Sequence, residues 1–343
     1  MRYIGGKSLM LENIEQVIKE NAPLSKGRFF DCFSGSGVVS NYFKAKGWQT
    51  ISNDIMYFSY VLARGSAGIS TALSFDRLGI GDPLSYLNDL TLEESGFLLE
   101  DCFIYQNYSP NEQCRRMYFQ NKNAVKIDVI RLMLEKWKEE ERLSADEYYY
   151  LLACLLSAVP YVSNIAGVYG AYLKHWDKRA GNDLVLKGAE LVLNGTDCLC
   201  FHGNIDLLLD KVETDVAYLD TPYNQRQYLP NYHVLETIAR YDHPKLSGTT
   251  GLRGYENEKS DFCIKAKVEA AFERVIAGLR ARYVAVSYNN EGLMSTQAML
   301  DLLKQYAKNG EVKLYEYPYR RYKNKIPNET EGLKEQIYFI EKE

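Results

Sequence analysis

The chain has no apolar run of the roughly 20 residues that a bilayer-spanning helix requires. Its opening, Met-Arg-Tyr-Ile-Gly-Gly-Lys, does not have the charged, apolar and small-residue regions of a secretory signal. Both absences lead us to expect a soluble, cytoplasmic protein with no membrane partner. Zinc and redox spacings are missing as well. Seven cysteines are scattered, and only Cys198 and Cys200 lie close, so reduced thiols and no bound metal are expected. There is no excess of basic charge: the formal net charge is −4, which argues against a general polyanion binder but leaves room for a local basic groove. No internal repeat or low-complexity segment occurs.

The chain does hold 343 residues, enough for one large α/β domain plus an insertion, and 28 tyrosines. Tyrosine stacks on bases and bonds phosphates, but it also fills cores. The most informative stretch is Asp215-Val-Ala-Tyr-Leu-Asp220-Thr-Pro-Tyr223. It reads as a strand buried on both faces. Pro222 cannot donate to a ladder, so the strand should end at Leu219 or Asp220. In an open α/β sheet, ligands bind beyond the carboxyl ends of strands. Asp220, the carbonyl of Pro222 and the ring of Tyr223 would meet there. Two acceptors and a flat ring suit an exocyclic amino group on a planar base. An ordinary strand and turn with Tyr223 in the core is the plainer alternative. A basic partner burying Asp220, or an Asp220 aimed away from the glycine-turn crevice, would remove such a site.

Upstream, Phe29-Phe-Asp31-Cys-Phe33-Ser-Gly35-Ser-Gly37 reads as a strand and a glycine turn that leads into a helix offering free N–H groups. Asp54 ends a second strand near Thr50, about the distance past the glycines at which a nucleotide-binding fold places its ribose carboxylate. A dinucleotide fingerprint needs a third glycine, and Val-Val-Ser follows Gly37 instead. The turn therefore suits a ribose-bearing cofactor without a pyrophosphate, such as S-adenosylmethionine.

An amphipathic helix is expected over 8–20. Helices are also expected over 128–139, 146–159 (Ser144 and Glu147 having capping-box spacing) and 295–307. Further strands are expected over 199–203, 283–289, 312–317 and 336–340. Residues 164–179, with Tyr169, Tyr172 and Lys174, mix glycines, aromatics and cations. They fit a nucleic-acid loop and an ordinary surface loop equally. Tyr317-Pro-Tyr-Arg320-Arg321-Tyr-Lys323-Asn-Lys325 is the densest basic-aromatic cluster; its four cations favour phosphate contact over a solvated hairpin tip. The polar segment 224–262, with Arg226, would close over the site, read a substrate or form a disordered loop. Its His233 is not expected to be catalytic.

Taken in order, Tyr3-x-Gly-Gly-Lys7, Asp31-x-Phe33-x-Gly35-x-Gly37, Asp54, Asp206 and Asp220-Thr-Pro-Tyr223 resemble the Dam-like N6-adenine DNA methyltransferases of the alpha motif order, over nearly the whole chain. Thr221 stands where that family usually has a first proline; a subset carries Asp-Thr-Pro-Tyr. The resemblance implies a Rossmann-like fold with a mostly parallel seven-stranded sheet, the catalytic domain formed by 1–65 and 190–343, and a mainly helical target-recognition insertion over 66–189. It implies S-adenosylmethionine bound by Tyr3, Gly6, Lys7, Asp31, Phe33, Gly35, Gly37, Asp54 and Asp206, with Lys7 near the methionine end. The target adenine, flipped out of double-stranded DNA, would be held by Asp220, Pro222 and Tyr223. Either a separately acting restriction endonuclease accompanies such an enzyme, or it is an orphan or phage methylase; monomer and weak dimer are both compatible. An RNA-adenine or cytosine-N4 methyltransferase, a nicotinamide-dependent oxidoreductase and a non-catalytic DNA-binding protein are the rivals.

Overall fold

The computed structural model describes residues 6–318 and 332–343. Seven strands form one sheet: β1 (Arg28–Asp31), β2 (Gln49–Asp54), β3 (Cys198–His202), β4 (Glu213–Asp220), β5 (Arg280–Asn289), β6 (Lys313–Pro318) and β7 (Lys334–Glu341). Their spatial order is β3-β2-β1-β4-β5-β7-β6. Neighbours from β3 to β5 pair in parallel, and β7 runs antiparallel between β5 and β6. After β1 the chain builds outward through β2 and β3, then crosses to the other side of β1 to make β4. The point between β1 and β4 is thus a topological switch point, where an open sheet leaves a crevice at its carboxyl edge.

Side-chain alternation divides the core between the two faces of the sheet. Phe29, Val216, Tyr218, Ala285, Ile337 and Phe339 meet α1 (Leu11–Asn21) and α2 (Val38–Ala45), which supply Ile14, Val17, Ile18 and Phe43. Phe30, Ala217, Leu219, Val284, Val286 and Ile340 meet the Val268–Gly278 and Thr296–Lys304 helices on the other face. The strand runs are apolar on both faces because both faces are covered. Among the described residues, no helix is long and apolar enough to cross a membrane.

The described chain packs as two compact units. One holds Gly6–Ile55, Thr196–Gln227 and Lys259–Glu343; the other holds Met56–Gly195 and Tyr228–Glu258. These units are not divided at the expected 65/66 and 189/190 boundaries. The second unit starts ten residues earlier than position 66, and it takes 228–258 out of the block 190–343. The physical reason lies at the Tyr57–Arg64 helix. It buries Phe58, Val61 and Leu62, and its first amides, of Tyr57 and Phe58, donate to both oxygens of Glu236 at 3.0 and 2.9 Å. Glu236 belongs to a helix, Tyr228–Arg240, in the segment expected to be a polar excursion. Helices Asn121–Glu139 and Ala145–Ala158 also belong to this unit, the latter opened by the expected Ser144/Glu147 capping box.

Candidate active site

The site grows from strand alternation. Asp31 shares the face of Phe29, Asp220 that of Tyr218, and Glu335 that of Ile337, so all three acids lie on the α1 side of the sheet. Lys7 precedes α1 and reaches the same place. Its Nζ lies 3.0 Å from Asp220 Oδ1 and also donates to Glu335 Oε1. Lys7 and Glu335 are buried, whereas the Asp220 side chain keeps 21% of its exposure. Asp220 thus has a basic partner, the arrangement that would defeat an amine site if it enclosed the acid. It does not enclose it: the side chain remains accessible, and Oδ2 receives no bond from a described residue. Nor does any described residue donate to the Pro222 carbonyl. Two acceptors therefore stand open, two residues apart in the chain, at the switch point.

The charges in this cluster work on one another. Burial raises the Asp220 carboxyl, Lys7 lowers it and Glu335 raises it again, leaving it pushed up to about 6. Asp31 is pushed up to about 7, chiefly by burial; the Ser40 hydroxyl, donating to its Oδ2 at 2.7 Å, works against this, while Asp220 and Asp54 add to it. Burial by itself would lower the Lys7 ammonium, but Asp220 and then Glu335 hold it above its ordinary value. At neutral pH Asp220 is consequently an anion and an acceptor.

Between β1 and α2 the chain turns through Gly35 at φ 50° and Gly37 at φ 74°, both in the left-handed region that favours glycine. Ser34 N–H donates to the Asn53 carbonyl at 2.9 Å, and Gly35 N–H donates to Asp54 Oδ2 at 2.8 Å. The turn and the end of β2 are locked together. Three buried polar atoms around this edge, Ser34 Oγ, Asn53 Oδ1 and Thr221 Oγ1, have no hydrogen-bond partner among the described residues. Orphaned buried polar atoms call for a ligand or water to satisfy them. Together with the acids flanking the crevice, they make a donor set that fits a polar, positively charged nucleoside ligand.

The remaining expected cofactor residues fall as follows. Phe33 is half-buried with its ring edge-on to Phe262 at 5.2 Å. Asp206 sits in the Ile205–Leu207 turn after β3, where Arg274 Nε donates to its Oδ1 at 3.0 Å. Gly6 is exposed, and Tyr3 lies outside the described residues. Tyr223 packs partly against the core, and its carbonyl accepts the Leu293 N–H at 3.0 Å.

The expected DNA contacts divide. Tyr169 is corrected: it is 2% exposed, its hydroxyl pairs with Ser163, and its carbonyl accepts bonds from the Tyr118 hydroxyl and His233 Nε2. It is core, because composition alone does not distinguish a stacking tyrosine from a packed one. Tyr172 is half-buried edge-on to Tyr118, while Lys174 and Arg226 are exposed. Arg320, Arg321 and Lys323 lie outside the described residues. His233 is fully buried, its imidazole lowered to about 4 chiefly by burial, which makes it a neutral core residue.

Sequence reasoning missed Glu335. The signal was an acid in phase with Ile337 and Phe339, on a strand face that should be apolar throughout.

A mostly parallel sheet in this strand order, with an acid-Thr-Pro-Tyr turn at its switch point, defines a Rossmann-like methyltransferase fold. The chain belongs to the D12 class N6 adenine-specific DNA methyltransferases, whose family model matches residues 3–302. It is 43% identical over 346 residues to the Type II methyltransferase M.FokI of Planomicrobium okeanokoites, covering 100% of this chain and 53% of that protein. It is 38% identical to the modification methylase StsI of Streptococcus sanguinis, covering 100% of this chain and 52% of that one. With the Type II methyltransferase M.NlaIII of Neisseria lactamica the identity is 37%, over 94% of this chain and 92% of that protein. The chain therefore spans about half the length of the first two relatives and nearly all of the third.

Proposed function

We propose that the chain transfers a methyl group from S-adenosylmethionine to the N6 amino group of an adenine flipped out of double-stranded DNA, at a specific sequence. The observation that carries this is the pair of open acceptors, Asp220 Oδ2 and the Pro222 carbonyl, beside the glycine turn. When bound, S-adenosylmethionine supplies an electrophilic methyl on a sulfonium whose sulfur leaves neutral. Ser34, Asn53, Asp54 and Asp206 hold the cofactor, and the backbone of Gly35 and Gly37 lets it approach closely.

The adenine amino nitrogen is a weak nucleophile because its lone pair is delocalised into the ring. Asp220 and the Pro222 carbonyl accept its two hydrogens and push electron density back onto nitrogen. Nitrogen bonds to carbon as the carbon–sulfur bond breaks, and the sulfur keeps that electron pair. Both hydrogen bonds strengthen as nitrogen turns positive, which is the differential stabilisation that speeds the step. Asp220 need not take a proton before attack; the proton is shed afterwards, through Asp220 or directly to water. A base inside a duplex cannot reach this edge, so it is extruded and Tyr223 replaces the lost stacking.

Residues 56–195 together with 228–258 form the target-recognition part in this proposal. Tyr172, Lys174, Arg226, Arg320, Arg321 and Lys323 contact DNA. The name of the StsI relative as a modification methylase supports a place beside a restriction endonuclease.

The test is transfer of tritiated methyl onto defined DNA and RNA, followed by nucleoside analysis. N6-methyldeoxyadenosine from DNA is expected; label in RNA or on cytosine would favour the rival substrates. Asp220→Ala should lose transfer by at least about 100-fold, the scale of removing a transition-state acceptor, while still binding the cofactor. Normal turnover in that variant would overturn the assignment.

A further inference from the structure

Whatever Lys7 does for the methionine end of the cofactor, its ammonium has no part in the transfer step itself. An ammonium 3.0 Å from Asp220 works against the step described above. It neutralises the acid that should attract the developing positive nitrogen, and it repels that nitrogen directly. One acid paired with one base would present no net charge to the substrate.

Glu335 changes that balance. It lies on β7, in register with Asn289 on one side and Tyr317 on the other, so two ladders hold its backbone. Its neighbours on the strand are anchored too: Lys334 Nζ donates to Glu316 at 2.6 Å, and Gln336 donates to the same residue at 2.9 Å. Glu335 is 2% exposed, and Lys7 Nζ donates to its Oε1. Two carboxylates against one ammonium leave one net negative charge. Burying both Lys7 and Glu335 beside the half-buried Asp220 is costly, and a structural need to neutralise Asp220 would have been met by Lys7 alone.

We propose that Glu335 is a positioning residue for methyl transfer: it shares the Lys7 ammonium with Asp220, so that Asp220 stays anchored in place while the Asp220–Lys7–Glu335 set keeps a net negative charge toward the amino group. This rests on the reaction proposed above. Among the described residues, the other titratable groups facing Asp220 are Asp31 at the end of β1, Asp54 at the end of β2, acting through Asp31, and Tyr218 on β4 itself. None of these carries a positive charge, so among the described residues Lys7 and Glu335 set the sign of the local field.

Glu335→Gln keeps the shape and an acceptor oxygen but removes the charge. Single-turnover methyl transfer to a defined duplex is followed against pH, with cofactor and DNA binding measured alongside. The variant should transfer about tenfold more slowly at pH 8, a loss on the scale of one electrostatic contact, with both binding constants within about twofold. Its acid limb should move to lower pH by about half a unit to one unit, because the like charge that raises Asp220 is gone. Glu335→Asp should recover part of the rate. A Glu335→Gln protein that is folded, as fast as wild type and unmoved in its acid limb overturns the proposal; so does one that only melts earlier. Should Glu335→Gln not fold, Glu335→Asp carries the test: with the charge drawn back from Lys7, transfer should be slower than wild type at unchanged cofactor and DNA binding, and a wild-type rate overturns the proposal. Wild-type protein that methylates nothing would overturn the reaction, and this role with it. Active wild type with an indifferent Glu335→Gln overturns this role alone.

Discussion

Asp220 is where burial and charge pull in opposite directions. Its carboxyl, raised to about 6, must be an anion to accept both from Lys7 and from an amine. Below that pH the protonated form gains and the acceptor is lost, so the wild-type transfer rate should fall by about tenfold per pH unit well below 6 and level off above it. A pH–rate profile from single turnovers checks this, and a flat profile between pH 5 and 8 would contradict it. The carboxylate–proline–tyrosine turn and the glycine pair were legible in the sequence because their chemistry is local. A strand end, a missing donor and a positive φ all follow from neighbours in the chain. The Lys7–Glu335 pairing was not legible, since it joins residues 328 positions apart. Tyr169 misled for a related reason: its burial depends on Tyr118 and His233, which no local pattern brings together.

Elements with clear periodicity match expectation to within a few residues, except the Asn121–Glu139 helix, which begins seven residues before the expected start at 128. They include α1, the strands of the sheet and the Ala145–Ala158 helix with its capping box. The Tyr228–Arg240 helix was hidden because it is buried nearly all round, from Tyr232 to Ala239, and so has no polar face to set a period. Two other helix starts were hidden by remote capping. Tyr57–Arg64 and Phe103–Tyr108 have no side-chain cap of their own; Glu236 serves the first and Asp128 the second, receiving the amides of Ile104 and Tyr105 at 2.9 and 2.8 Å. Glu236 is fully buried and also accepts from Arg240 Nε at 2.6 Å. Glu236→Ala removes the cap and leaves that guanidinium short of a partner. It should cost about 3 kcal/mol of stability, read as a lower urea midpoint with an unchanged slope; a loss below about 0.5 kcal/mol would deny Glu236 this role.

Over these 343 residues the net charge is −4, so the proposed attraction to DNA would have to come from local clusters rather than from the overall field. Arg320, Arg321 and Lys323 are the densest such cluster in the sequence. Replacing all three with glutamine should flatten the dependence of log K on log salt by about 2–3, near 0.9 for each phosphate no longer neutralised; an unchanged slope would assign the cluster to bulk surface. The path of the backbone carries one more implication. The chain leaves the sheet twice to build its helical unit, once between β2 and β3 and again after β4. Any recombination event that exchanged only the longer excursion would graft new helices onto an old Tyr228–Arg240 partner and leave Glu236 facing an unfamiliar helix start. Descent within such a lineage should therefore show the two pieces travelling as one heritable cassette, each changing when the other does.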